Sequence, residues 1–218
     1  MTWEDFCTYF TDVSVCHQIN TSFFTLGKRY IETIFHGIWM NSESRGDLSD
    51  RAGGCANFKE SCLCNPQYRI DVPDDDSEII VSLMQRDIRE RRRQGVSYLT
   101  IGIMVERVEE NRTFRMHQLL DMQATSDYIS TRSVYLRMVG IRRGRYVIVP
   151  TTYAPGEEGE FMMRVYSAQQ LNASELTRDK PSVGLLPCCR KQFTCVTRLR
   201  LIGGEQIMAS NSQNAGNR

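Results

Sequence analysis

Alternation of apolar and polar positions dominates the middle of the chain. In QYRIDV (67–72), Tyr68, Ile70 and Val72 fall on one face and Gln67, Arg69 and Asp71 on the other, the period of a half-buried strand. IIVSLM (79–84), YLTIGIMVERV (98–108), SVYLRMV (133–139), RYVIVP (145–150) and FMMRVY (161–166) have strand length and β-branched or aromatic content. Gly, Pro or Asp punctuates the gaps between them. This spacing predicts a mainly β fold, an antiparallel β-sandwich rather than βαβ units.

The ends read differently. TWEDFCTYF predicts a short N-terminal helix: Thr2 can cap it, Glu4 and Asp5 suit its positive end, and Trp3, Phe6, Cys7 and Phe10 share a face. HQLLDM (117–122) is read as a single helical turn. From Ala168 to Arg190 the chain is polar and then carries Pro181, Gly184 and Pro187, which predicts a linker. TCVTRLRLI (194–202) reads as one more strand with nothing after it to pair with. The terminal SNSQNAGNR is too poor in apolar residues to build a core and is expected to be disordered.

Composition narrows the class of protein. The 218 residues suffice to bury a core, and 41% hydrophobic with 24% charged content is ordinary for a globular chain. Lys and Arg total 27 against 26 Asp and Glu, so the net charge of +1 argues against nucleic acid as a partner. The start, MTWEDF, shows no basic and apolar leader, and no run nears the roughly 18 apolar residues a membrane span needs. Eight cysteines are too few for a disulfide-stapled scaffold. Together these predict a cytoplasmic protein with reduced thiols, in which the sequons at Asn20, Asn111 and Asn172 carry no meaning.

The densest chemistry lies in RAGGCANFKESCLCNPQYRIDV (51–72). A thiol protease needs a cysteine, a histidine and an orienting group, and Cys55, His117 and Asn172 could be strung in that order, as could many other triples. Cys55, Cys62 and Cys64 lack the paired Cys-x-x-Cys spacing of structural zinc sites, and Cys188, Cys189 and Cys195 do no better. The structural reading fits best. Gly53-Gly54 permits a tight or left-handed backbone, Cys55 is a small buried hydrophobe, and Asn65-Pro66 makes the turn into the QYRIDV strand.

Two charge clusters follow. DVPDDDSE brings Asp71, Asp74, Asp75, Asp76 and Glu78 together, which could attract calcium through carboxylate oxygens or act as a solvated hairpin tip that blocks edge pairing. It lacks the alternating ligands and central glycine of an EF-hand loop. QRDIRERRRQG supplies Arg86, Arg89, Arg91, Arg92 and Arg93, a cluster able to meet anionic phospholipid, an acidic segment of the same protein, or only solvent. An electrostatic latch would form if the fold set the two clusters face to face.

With these residues in view, AGGCANFKESCLCNPQYRI resembles the AGGC…N…NPQ signature that opens the calpain β-sandwich, or domain III. SLMQRDIRERRR, YLTIGIMVERV and GRYVIVPTTYAPGEEGEFMMRVYS resemble its later segments in the correct order. WEDFCTYF resembles the helix ending the family's protease core, and LTRDKPSVG with TCVTRLRLIGGEQI resembles the linker and first strand of a C2-type domain. The resemblance therefore implies the end of a protease core at 1–20, domain III at 21–168, a linker at 169–192, and the start of a truncated C2-type domain with a tail at 193–218. It points to the calpain branch carrying that module instead of EF-hands.

The resemblance implies a C2-like regulatory sandwich of a calcium-dependent cysteine endopeptidase that cleaves intracellular proteins. The family's catalytic cysteine, histidine and asparagine would lie before this segment, so none of its residues is carried over as catalytic and the segment alone is expected to be inactive. The family's acidic loop corresponds to Asp74, Asp75, Asp76 and Glu78, and its basic partners to Lys28 and Arg29. Implied partners are the protease core, protein substrates, anionic phospholipid and calcium, with membrane association on calcium signalling. The alternative is a non-enzymatic phospholipid- or protein-binding scaffold.

Overall fold

The computed structural model of the protein describes residues 1–10, 19–22, 24, 27–42, 48–89, 95–179, 200–201 and 204–205. Two units divide the chain, Met1–Lys180 and Pro181–Arg218. The first begins with helix α1 (Trp3–Tyr9) and continues through β1 (Ile31–Trp39), β2 (Tyr68–Val72), β3 (Ser77–Gln85), β4 (Thr100–Val108) and β5 (Met122–Thr125). It is completed by β6 (Ile129–Ser130), β7 (Ser133–Ile141), β8 (Gly144–Thr152), β9 (Gly159–Ser167) and β10 (Asn172–Glu175). One sheet runs β1-β9-β3-β7 and the other β10-β2-β8-β4-β5, with β6 also pairing β4. The pairings are antiparallel, as the spacing predicts for a sandwich.

Inward-facing residues of both sheets form one core, including Tyr68, Ile70, Val81, Leu83, Ile103, Val105, Leu136, Ile148, Phe161 and Met163. Burying each such side chain contributes on the order of 1.5–3 kcal/mol. A second apolar cluster, Met104, Val108, Met116, Val147, Val149 and Leu176, packs with Ala56 and Leu63 on the opposite face of the larger sheet. Strands β4 and β8 are therefore covered on both faces. Hence IGIMV and YVIV read as continuous apolar runs, whereas β7 keeps a clean two-residue alternation.

The covering layer is the AGGC…NPQ segment, and backbone sterics dictate its course. A Cβ on Gly53 would stand 1.8 Å from the Ser61 carbonyl oxygen. Gly54 has φ of 75° and lies against Pro155, so a side chain there would meet both strain and backbone. Asn65 is fully buried; its Oδ1 accepts from Gly53 N–H at 3.1 Å and its Nδ2 donates to the Gly54 and Cys62 carbonyls at 2.8 Å each. Asn65 takes the extended conformation that Pro66 imposes on its predecessor (φ −55°, ψ 157°). Buried Arg115 then donates to the carbonyls of Leu63, Cys64 and Asn65 at 2.7, 2.7 and 3.1 Å.

Several expectations change. HQLLDM is a bend leading into β5, because the fully buried Glu106 carboxylate accepts the N–H groups of Leu120 and Asp121 at 3.1 and 2.8 Å and pulls the chain away from helical bonding. Within the stretch read as a linker, Asn172–Glu175 forms edge strand β10 against β2. Its polar sequence tolerates this because buried Leu171 and Leu176 anchor the two ends. Strands β1, β5, β6 and β10 are additional to those expected. Helix α1 forms with a full capping box between Thr2 and Asp5, yet none of its residues is buried and Trp3 is 74% exposed.

Of the second unit, Arg200–Leu201 (β11) pairs with Gly204–Glu205 (β12), so the expected final strand does meet a partner. The rest of TCVTRLRLI, the terminal tail, and residues 180–192 of the linker lie outside the described residues. Among the described residues, no helix is long and apolar enough to cross a membrane. Asn65→Ala is expected to destabilise the first unit by about 2–4 kcal/mol, since it strands one buried N–H and two carbonyls. A urea titration that left the midpoint of N65A unchanged would contradict this account of the segment.

Candidate functional site

The acidic turn joins β2 to β3 and is built by strand geometry. Asp71 sits near the end of β2, Asp74 to Asp76 form the turn, and Glu78 enters β3. Asp76 adopts φ of 56°, a left-handed conformation that aspartate tolerates better than most residues. Ser77 Oγ closes the turn on the Asp74 carbonyl at 2.7 Å.

Asp71, Asp74, Asp75 and Glu78 each have a different partner. Arg145 grips Asp71 in a two-pronged contact of 2.5 and 2.9 Å, and Asn172 Nδ2 adds a third bond at 2.9 Å. Asp74 accepts from the Gln169 amide, and Asp75 from the Arg143 N–H at 2.8 Å. Glu78 is the most heavily engaged. Its Oε2 accepts from Lys28 Nζ and from Tyr30 OH at 2.8 Å, and its Oε1 from Arg137 Nε at 2.7 Å. Lys28, and secondarily Arg137 and Tyr30, hold the Glu78 carboxyl down to about 2 from an ordinary 4.5. Burial, and then the negative charge of Glu78, push the Tyr30 hydroxyl upward.

Of the two expected basic partners, Lys28 is brought onto the acidic cluster. Arg29 follows it, half-buried, just before β1. Arg86 and Arg89 are placed elsewhere. Nine-residue β3 puts its far end roughly 25 Å from Glu78 at the usual rise per residue. There Arg86 meets Glu160 at 3.3 Å and Arg89 meets Asp87 at 2.7 Å. These two arginines therefore do not face the acidic turn, and a latch between them and it is not formed. Arg91, Arg92 and Arg93 lie outside the described residues.

Partners missed from the sequence are Tyr30, Arg137, Arg143, Arg145 and Gln169. Antiparallel pairing of β3 with β7 sets Arg137 opposite Ile80, one outward position from Glu78, and pairing of β2 with β8 sets Arg145 opposite Asp71. Register, which sequence alternation alone does not supply, carries that signal.

Burial pushes the Cys62 and Cys64 thiols up, away from the reactive thiolate. Cys55 is buried, with its backbone N–H on the Tyr153 carbonyl at 3.1 Å. His117 Nε2 lies 3.3 Å from Asp179 Oδ1 while Asn172 serves Asp71, so these three do not make a triad. Among the described residues, no group of three or more His, Cys, Asp or Glu side chains is arranged to hold a metal ion. The acidic turn therefore does not fit a preformed calcium site, its carboxylates being turned to separate cationic and amide donors.

Residues 35–166 match the family described as calpain large subunit, domain III. The chain is 44% identical over 211 residues to Calpain-5 of Caenorhabditis elegans, covering 96% of this chain and 32% of that protein. It is 44% identical over 182 residues to Calpain-5 of Mus musculus, covering 83% and 28%, and 35% identical over 196 residues to Calpain-A of Drosophila melanogaster, covering 80% and 22%. The chain thus spans between about a fifth and a third of the length of these relatives.

A carboxylate whose folded pKa is depressed contributes stability above its unfolded value and loses it as pH falls through the folded one. Glu78 therefore adds stability above pH 4.5 that disappears between about 4.5 and 2. Allowing for solvent around Lys28 and Arg137, its share is about 1–2 kcal/mol. In acid unfolding followed by circular dichroism, Glu78→Gln should flatten the stability-versus-pH curve in that window. An unchanged slope would remove Glu78 from the account.

Proposed function

This chain belongs to the calpain family and carries its domain III, and from that premise we propose that it is the regulatory β-sandwich segment of a calcium-dependent cysteine endopeptidase. The parent enzyme would cleave intracellular proteins in a limited way. Its catalytic cysteine, histidine and asparagine would be supplied by a protease core outside this segment, in the cytoplasm or, on calcium signalling, at a membrane. Residues 193–218 are proposed to begin a C2-type module.

One observation carries this reading: Glu78 accepts hydrogen bonds from Lys28 and Tyr30, which directly precede β1 at the N-terminal entry to the sandwich, and from Arg137 on β7. A single carboxylate thus ties the chain arriving from the α1 side to the sheet. The segment resembling the end of the protease core lies on that side, so the clamp is suited to setting how core and sandwich are held together. Exposed ion pairs contribute about 0–1 kcal/mol each. Three donors on one carboxylate reach the 1–3 kcal/mol typical of coupling between sites.

Calcium enters this scheme through the parent enzyme, since the described residues form no preformed calcium site. Asp74, Asp75 and Asp76 modulate the clamp by placing negative charge beside it, and Glu78 carries it. The phospholipid-scaffold alternative would draw on Arg86, Arg89, Arg91, Arg92 and Arg93, of which Arg86 and Arg89 pair with Glu160 and Asp87.

In the full-length enzyme, Glu78→Gln is expected to shift the calcium concentration for half-maximal casein cleavage about 5-fold or more, the size of an ordinary allosteric coupling. Replacing Asp74, Asp75 and Asp76 with Asn should shift it less. The isolated 218-residue chain should cleave no casein. An unmoved calcium curve in E78Q, or cleavage by the isolated chain that a single Cys→Ala change abolishes, would overturn the proposal.

A further inference from the structure

Strand β7 ends the four-stranded sheet. Strand β3 bonds one side of it, and on the other side its main chain has no hydrogen-bond partner among the described residues. Unpaired N–H and C=O groups along nine residues make a template for another strand. The outward side chains Tyr135, Arg137 and Val139 are 60%, 61% and 67% exposed.

An open groove of about 580 Å³ runs beside this edge, between β7 and the edge strand β5 of the other sheet. That volume lies within the range of binding clefts, about 300–1,000 Å³. Arg107, Arg137 and Arg142 line it with one carboxylate, Asp121, and because Arg137 is already bonded to Glu78 at 2.7 Å the positive charge it offers comes from Arg107 and Arg142. Val139 and Met122, both exposed, add apolar surface in and beside the groove. The opposite edge of the sheet, β1, presents Glu32, Ile34, His36 and Ile38 at its exposed positions, with no arginine or lysine among them. Among the described residues, free backbone edge and lining arginines thus coincide at the β7 flank.

We propose that the β7 edge and the groove beside it form a docking site for an extended acidic peptide, which adds to the four-stranded sheet as a fifth strand. The main chain of the peptide pairs with β7, as in other complexes formed by strand addition. Its acidic side chains meet Arg107 and Arg142, and its alternate apolar side chains meet Val139 and Met122. This site is separate from the calcium response proposed for the clamp, although Arg137 of the clamp also lines the groove, and it stands if that response is disproved.

The test uses the 218-residue chain and a fluorescein-labelled nonapeptide of alternating Glu and Val, followed by anisotropy at low salt. Binding is expected, with a peptide of alternating Gln and Val at least about 10-fold weaker if charge contributes as at ordinary ion pairs. Arg142→Gln should weaken binding about 3-fold and the Arg107→Gln, Arg142→Gln double variant about 10-fold, at a few tenths to 1 kcal/mol per contact. Arg137 is left intact because it also holds Glu78. Two further peptides carry backbone N-methyl groups on alternate residues, one on each set. Strand addition requires that only one of the two lose binding. Equal binding of both, equal binding of the Gln peptide, or no binding of the Glu peptide would each overturn the proposal. So would arginine-dependent sedimentation with phosphatidylserine vesicles in the absence of peptide binding.

Discussion

Buried main chain must find hydrogen-bond partners, and in this molecule that constraint falls hardest on residues 52–67. The segment lies over the larger sheet without joining it, so no ladder satisfies its N–H and C=O groups. Turn bonds such as Cys62 N–H to the Phe58 carbonyl, isolated bonds such as Cys55 N–H to the Tyr153 carbonyl, and the side chains of Asn65, Gln67 and Arg115 do so instead. Gln67 Nε2 donates to the Leu63 and Met116 carbonyls at 2.8 and 3.1 Å while its Oε1 accepts from Met116 N–H at 2.7 Å. An Arg in so apolar a place is costly unless its donors are used, and three carbonyls use them. The layer thus fixed seals β4 and β8 and delivers the chain into β2. The position of the acidic turn at the far end of β2 follows from it.

At that turn the physics changes from burial to charge. Five acids within eight residues would repel one another if left together. The fold separates four of them by giving each a different donor: Arg145 for Asp71, Gln169 for Asp74, Arg143 for Asp75 and the Lys28–Tyr30–Arg137 set for Glu78. Most of these contacts are exposed and individually weak. Glu78 is the exception, with its side chain only 9% exposed and donors reaching it from two parts of the chain. Charge is here used to set position more than to store stability.

The strands were legible because alternation and turn residues are local properties. The runs at 79–84, 133–139 and 161–166 fall inside β3, β7 and β9. The run at 98–108 begins two residues before β4, since Tyr98 and Leu99 belong to the preceding loop. β1 was less legible because Glu32, His36 and Gly37 break its apolar pattern, and its partner lies far along the sequence. Asn172–Glu175 is polar and strand-like only by virtue of its buried flanks. Within the site, Lys28 was named from the resemblance to calpains. Arg137 and Arg145 needed the pairing register, a long-range property no sequence window contains. HQLLDM shows the opposite failure: a helical pattern yielded to one buried carboxylate, Glu106.

The pairing of β1 with β9 joins Ile31 to Ser167 and Trp39 to Gly159. Closing contacts across such sequence distances costs loop entropy early and returns contact energy late, so folding of this sheet is slow by its topology. On the ribosome, where synthesis runs from the N-terminus, β1 emerges well over a hundred residues before the strand that completes it. For that interval it is an unpaired strand with the core-facing Phe35 and Trp39 uncovered, a period in which chaperone capture competes with misassociation. The order of synthesis thus makes β9, the last strand of the smaller sheet, the event that commits the sandwich to its native form.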